Sequence, residues 1–134
     1  MNSRNICASQ VNVNCSPEGN NWLNEKNAIV RIFVQYNGGT GHCSGALVNN
    51  TAKNGVPYVL TADHNISTNY FTFDAINSPT LTNWWFYFND EWTGCTNSNP
   101  ANVDYIKGAV VVANNSSSDF ALLRLNCNSI SYVI

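Results

Sequence analysis

Residues 28–64 read AIVRIFVQYNGGTGHCSGALVNNTAKNGVPYVLTADH. In the first part of this stretch apolar and polar residues alternate, so that Val30, Ile32 and Val34 share one face of a strand. A Gly-Gly-Thr-Gly turn follows, and a later Asn-Gly pair favours the positive φ angles of a tight turn. The stretch therefore predicts three antiparallel strands connected as a meander, over residues 28–36, 43–48 and 56–62.

The rest of the chain continues this all-β pattern. Three further apolar runs predict strands at 84–88, 105–113 and 119–125, and no segment keeps a helical period over a useful length. Six strands joined by short turns favour a small closed antiparallel barrel, because closure removes exposed sheet edges. We therefore predict an all-β fold built on a six-stranded antiparallel β-barrel.

The two ends of the chain differ from this pattern. Residues 1–27 are polar and rich in asparagine, and we interpret them as an irregular N-terminal arm held by disulfides. Residues 28–134 form the predicted barrel domain. A new apolar run begins at 129 and stops at 134, and a domain rarely ends inside a strand that needs pairing, so we interpret this end as a truncation.

Composition excludes several classes of function. The chain has 134 residues, of which 44% are hydrophobic, enough for the core of one domain. Its net charge of -2 argues against nucleic-acid binding by a basic patch, and no apolar run approaches the roughly 20 residues that span a bilayer. The glycine-rich segment 39–45 leads into a strand, not a helix, so it provides no dinucleotide site, and we expect no cofactor.

The chain contains five cysteines, none in a Cys-x-x-Cys pair. This spacing argues against a zinc site or a redox motif and favours disulfides in a secreted protein. Because five is an odd number, at least one cysteine lacks a disulfide partner within these residues.

His64 and Asp119 are the candidate catalytic residues. His64 follows an apolar strand and precedes a polar loop, and Asp119 opens another strand after a Ser/Asn loop. If the barrel brings these strand ends together, Asp119 can accept the Nδ1–H of His64 and leave Nε2 free to take a proton. The competing interpretation is structural, with Asp119 capping a turn and His64 at a strand end.

Three motifs resemble the chymotrypsin-fold serine endopeptidases, most closely the bacterial secreted lysyl endopeptidase group. They are CSGALVNNT at 43–51, PYVLTADH at 57–64 and SDFALL at 118–123, and the N-terminal stretch 7–19 is also similar to that group. The resemblance implies that His64 is the general base and Asp119 its orienting carboxylate. It also implies two Greek-key barrels, of which this chain would be the first, N-terminal one, acting on polypeptide substrates.

The nucleophile of such an enzyme is not found here. No Gly-Asp-Ser-Gly-Gly or Gly-Ser-Ser-Gly-Ser type of sequence occurs in the 134 residues, and the resemblance places the serine in a second, C-terminal barrel. We therefore expect the chain as written to be inactive in peptide hydrolysis. Ser44 is a poor substitute, because it lacks the preceding glycine and the following helix of a nucleophile elbow. The preference for lysine is a family inference only.

The resemblance also implies how several of the cysteines pair. Cys15 and Cys95 match the positions of a family disulfide, and Cys7 would pair into the second barrel. The family cysteine at the position of Cys43 bonds to one directly after the catalytic histidine, where this chain has Asn65. Cys43 is therefore expected to be a free thiol. Cys127 has no counterpart, and its pairing with Cys7 has no physical argument in its favour.

A non-catalytic function is the alternative. An extracellular β-barrel binding module would use exposed tryptophans to stack against carbohydrate or protein, drawing on Trp22, Trp84, Trp85 and Trp92. Trp84 and Trp85 are neighbours on a strand and so point to opposite sides of the sheet. One of the two is therefore expected on the outer face.

Overall fold

The computed structural model of the chain describes residues 12–36, 39–67, 81–96 and 101–127. This part of the chain is mostly β, with seven strands and two short helices. In chain order these are α1 (Leu23–Ala28), β1 (Ile29–Tyr36), β2 (Gly39–Val48), β3 (Tyr58–Thr61), α2 (His64–Ser67), β4 (Trp85–Phe88), β5 (Asp104–Lys107), β6 (Ala109–Asn115) and β7 (Phe120–Leu125). Among the described residues, no helix has the length and apolar character needed to cross a membrane.

All seven strands belong to one antiparallel sheet with the order β5-β4-β1-β2-β3-β7-β6. β1 and β2 form the longest hairpin, in which Ile29 lies opposite Ala46 and Tyr36 opposite Gly39. β3 pairs with β2 as the predicted meander requires, whereas β4 returns to the other side of β1. β7 then pairs with β3, so that strands far apart in the sequence become neighbours.

Gly108 divides one predicted strand into two. The prediction of a single strand over 105–113 was wrong, because Gly108 separates β5 from β6 and has a φ of 84°. Glycine adopts this left-handed conformation without the strain that a Cβ atom brings. The N–H of Gly108 donates to the carbonyl oxygen of Trp84 at 2.8 Å, which holds the bend. As a result β5 pairs with β4, whereas β6 pairs with β7 at the opposite edge of the strand order.

The core lies on the inner face of the curled sheet. Val30, Ile32 and Val34 of β1 are buried, so the predicted alternation of this strand is confirmed. The most deeply buried large side chains include Phe86, Ile32, Ile66, Leu81, Leu123 and Leu125. Burial of each such side chain contributes about 1.5–3 kcal/mol.

A short helix precedes the first strand. The sequence predicted an irregular arm up to residue 27 and a strand from residue 28, but the helix Leu23–Ala28 ends where β1 begins. This six-residue helix buries none of its residues. Because neither it nor the four-residue α2 is long enough to show an apolar period, sequence patterning did not detect them.

The N-terminal segment is attached to the loop that follows β4. A disulfide joins Cys15 to Cys95, the pair expected from the resemblance, across 80 residues of sequence. Beside it the side-chain amide of Asn14 donates to the carbonyl oxygen of Trp92 at 2.7 Å. A loop of this length corresponds to about 4 kcal/mol of stabilisation in the chain-entropy model. Cys7 lies outside the described residues.

Candidate active site

His64 begins α2, directly after the chain leaves β3. Asp63 precedes it, and the carbonyl oxygen of Asp63 accepts the N–H of Ile66 at 2.9 Å. Ile66 is only 2% exposed and anchors the turn in the core. The anchored turn leaves the His64 imidazole at the surface, where its side chain is 62% exposed.

Asp119 closes the turn between β6 and β7. The side-chain oxygen of Asn115 accepts the N–H of Ser118 at 3.0 Å and its hydroxyl at 3.2 Å, which stabilises this turn. Asp119 has a φ of 51°, a left-handed conformation that aspartate adopts more readily than most residues. Because β7 pairs with β3, with Thr61 opposite Ala121, the turn lies beside the start of α2.

The two predicted catalytic residues meet at this point. One carboxylate oxygen of Asp119 lies 2.7 Å from Nδ1 of His64, and the other accepts the backbone N–H of His64 at 2.9 Å. An ionised carboxylate only accepts hydrogen bonds, so the proton of a neutral imidazole is held on Nδ1. Nε2 is then the basic nitrogen of the ring.

The hydrogen bonds to Asp119 also set its charge state. The backbone N–H of His64 contributes most to lowering the pKa of the Asp119 carboxyl, followed by the hydrogen bond from the His64 ring. Both bonds are made to the ionised form and therefore favour it. Asp119 is thus a carboxylate throughout the neutral pH range.

Polar residues that the sequence analysis did not single out lie beneath the pair. Asp63 is only 2% exposed, and its side-chain oxygen accepts the amide of Asn114 at 2.7 Å. The hydroxyl of Thr61 donates to the carbonyl oxygen of Ser44 at 2.8 Å and accepts the amide of Asn65 at 3.0 Å. The available signal was the position of Asp63, a carboxylate at the end of a buried strand, which requires a donor.

The alternative nucleophiles are poorly suited to attack. Ser44 lies within β2, opposite Arg31 of β1, and not on a turn between a strand and a helix. Cys43 is a free thiol, and burial raises its pKa to about 11. Since the thiolate is the reactive form, this pKa disfavours Cys43 as a nucleophile. Cys127 is also free, and burial raises its pKa as well.

The tryptophan pair divides between the two faces of the sheet. Trp84 is only 4% exposed and belongs to the core. Trp85 contacts Tyr87 and Tyr105 on the outer face, with the rings of Trp85 and Tyr105 centred 5.1 Å apart. Within the described ranges, no three or more histidine, cysteine or acidic side chains are grouped so as to hold a metal ion.

Comparison with known protein families gives a match that spans almost the whole chain. The model of the family described as "Lysyl endopeptidase, C-terminal domain" matches residues 4–133. This description indicates a peptidase-related protein and agrees with the group named from the three sequence motifs. The chain therefore belongs to the lysyl endopeptidase C-terminal domain family.

Proposed function

We propose that this chain supplies the general base and the orienting carboxylate of a secreted, trypsin-like serine endopeptidase. The observation that carries the proposal is the pair of hydrogen bonds from His64 to Asp119, at 2.7 Å from the ring and 2.9 Å from the backbone. Membership of a lysyl endopeptidase family supports the same reaction class. The roles of His64 and Asp119 follow from the general chemistry of such pairs.

In this mechanism Nε2 of His64 takes the proton of a serine hydroxyl while the serine oxygen attacks the scissile carbonyl carbon. Asp119 holds the imidazole in the required tautomer and stabilises the imidazolium that forms. The imidazolium then gives its proton to the departing amine, and an acyl-enzyme remains. Water attacks this ester in the second half of the reaction, again with His64 as the base.

We further propose that the serine, the oxyanion-hole donors and the substrate pocket lie outside these 134 residues, in a second barrel. The order β4-β1-β2-β3 matches that of a Greek key, which supports a first barrel of this type. On this proposal the 134-residue chain is inactive by itself.

The substrate class is a polypeptide, and cleavage next to lysine is proposed from the family description alone. Secretion is proposed as well, because the disulfide between Cys15 and Cys95 is of a kind that persists in oxidising compartments.

The alternative binding function was predicted to use exposed tryptophans, of which Trp22 is 54% exposed and Trp85 lies in an outer aromatic cluster with Tyr87 and Tyr105. Cations already lie over two of these rings, with Lys107 5.0 Å from the centre of Trp85 and Arg31 4.5 Å from the centre of Tyr87. Cross-strand contacts of this kind stabilise a sheet without any ligand. The cluster is therefore explained by the fold, and we do not propose a glycan site there.

The test begins with the reading frame beyond the codon for Ile134. Both the 134-residue chain and its extension are expressed and assayed on a peptide containing a single lysine. We expect hydrolysis by the extended chain only, loss of that activity in His64→Ala, and retention in His42→Ala. His42 is the matched control, because it contacts Phe33 and Arg31 and not Asp119. Hydrolysis by the 134-residue chain, or activity that survives His64→Ala, would contradict the proposal.

A further inference from the structure

Asp63 is a buried carboxylate that the proposed mechanism does not use. It precedes His64 in the chain and is 2% exposed, far less than the histidine beside it. Its side-chain oxygen accepts the amide of Asn114 at 2.7 Å. Burial of a carboxylate is costly unless donors are held against it, so the placement of Asn114 requires a structural cause.

A β-bulge in β6 provides that cause. Val111 lies opposite Leu123, but Ala113 lies opposite Leu122, so one extra residue is inserted in β6 between them. Asn114 consequently pairs with Ala121, which is completely buried. Residues directly opposite each other in an antiparallel pair share a face of the sheet, and the bulge thus places Asn114, itself exposed near the end of β6, on the face that carries Ala121.

Two contacts therefore join residues 63–64 to the β6–β7 hairpin. Asn114 on β6 contacts Asp63, and Asp119 before β7 contacts His64, on the two sides of one turn. The backbone N–H of Asp63 also favours the ionised Asp119 carboxylate and lowers its pKa, less than the bonds from His64 do. Adjacent residues on one segment are thus held by both arms of the β6–β7 hairpin.

We propose that Asn114 and Asp63 are positioning residues that hold the Asp119 carboxylate in register with Nδ1 of His64. Without the link between them, β7 stays paired with β3, but the turn that carries Asp119 is held beside α2 only by the bonds of Asp119 itself and can shift. The hydrogen bond from Nδ1 then weakens, and a larger share of the neutral imidazole carries its proton on Nε2. That tautomer cannot act as the base. The inference rests on the proposed function, but its test does not require peptidase activity.

The experiment measures the tautomers of His64 by ¹⁵N NMR on the 134-residue chain labelled at histidine. We expect Asn114→Ala to lower the ratio of the Nδ1–H to the Nε2–H form of His64 about fivefold, the effect of losing one ordinary hydrogen bond. His42 provides an internal reference in the same spectra, and its signals should not move. Asn54→Ala removes a remote side chain that bonds to Asn50, and should leave the ratio for His64 unchanged.

A double substitution separates positioning from simple loss of stability. In Asn114→Asp alone, two carboxylates face each other, and we expect the ratio to fall further than in Asn114→Ala. When Asn114→Asp is combined with Asp63→Asn, the amide and the carboxylate exchange places, so that the amide at position 63 donates to the carboxylate at position 114. We expect the ratio to recover in this double variant. The comparison remains valid if Asn114→Ala does not fold.

Two results would overturn the inference: an unchanged ratio in folded Asn114→Ala, or no recovery in a folded double variant. If the tautomer ratio of His64 is normal in the variants and hydrolysis by the extended chain depends on His64, the positioning role is wrong and the proposed function stands. If the tautomer ratio changes but hydrolysis does not depend on His64, the positioning role stands and the proposed function is wrong.

Discussion

The two ends of the sheet join distant segments of the chain by different means. At one end a disulfide connects Cys15 to Cys95, and Lys26 pairs with Glu91 at 3.1 Å with both side chains less than one-fifth exposed. At the other end His64 and Asp119 meet through hydrogen bonds alone, with more than half of each side chain exposed. Exposed pairs contribute little to stability but leave a nitrogen accessible to a substrate. The first end therefore stabilises the fold, and the second is suited to chemistry.

The sharpest test of this division is Asp119→Asn in the extended chain of the proposed function. The new amide would favour the wrong tautomer of His64, and we expect kcat to fall about 10⁴-fold. The melting temperature should change little. Asp90→Asn is the matched control, because Asp90 pairs with Arg31 at the other end of the sheet. An equal loss of activity in both variants would remove the distinction between the two ends.

The reverse experiment removes the disulfide by replacing Cys15 and Cys95 with serine. We expect the free energy of unfolding to fall by about 4 kcal/mol, measured by urea denaturation, because the unfolded chain regains the entropy of an 80-residue loop. The tautomer ratio of His64 should not change. Cys43→Ser controls for the loss of a thiol, since Cys43 forms no disulfide. A loss below about 1 kcal/mol would show that other contacts hold the arm.

Gly108 joins β5, the strand at one edge of the sheet, to β6, the strand at the other edge. We expect Gly108→Ala to cost about 1–2 kcal/mol in thermal or urea unfolding, since its φ of 84° is unfavourable for alanine. An added Cβ would also approach the Asn126 side-chain nitrogen to 2.5 Å. Gly94→Ala is the control, because its Cβ would meet nothing within 4 Å. Similar stability in the two variants would mean that the bend does not depend on glycine.

The smallest expected effect is the acid dependence of stability from Asp119. Its pKa in the folded chain is lowered from 3.8 by hydrogen bonds from His64, so this carboxylate stabilises the fold above about pH 4. That contribution is lost as pH falls through the lowered pKa. The difference in melting temperature between the native chain and Asp119→Asn should therefore shrink below about pH 4. A difference that stays constant with pH would contradict the lowered pKa.

Sequence patterning predicted the inward positions of one strand but missed two features of other strands. The inward positions Val30, Ile32 and Val34 were predicted because alternation along one strand is a local property. Asn114 was not found, because the bulge in β6 exchanges the two faces of the strand and leaves no mark in the apolar pattern. The division of the predicted strand 105–113 at Gly108 was missed, because one glycine within an apolar run does not by itself indicate a change of partner strand.

The sequence by itself determined the strand-rich character of the chain and the motifs that carry His64 and Asp119, since both depend on residues close together in the chain. Only the tertiary structure decided that β7 lies beside β3, that Asp119 therefore reaches His64, and that Asn114 faces Asp63. These contacts join residues more than 50 positions apart. Their formation depends on the pairing and packing of strands that are distant in the sequence, which the pattern along a single strand does not specify.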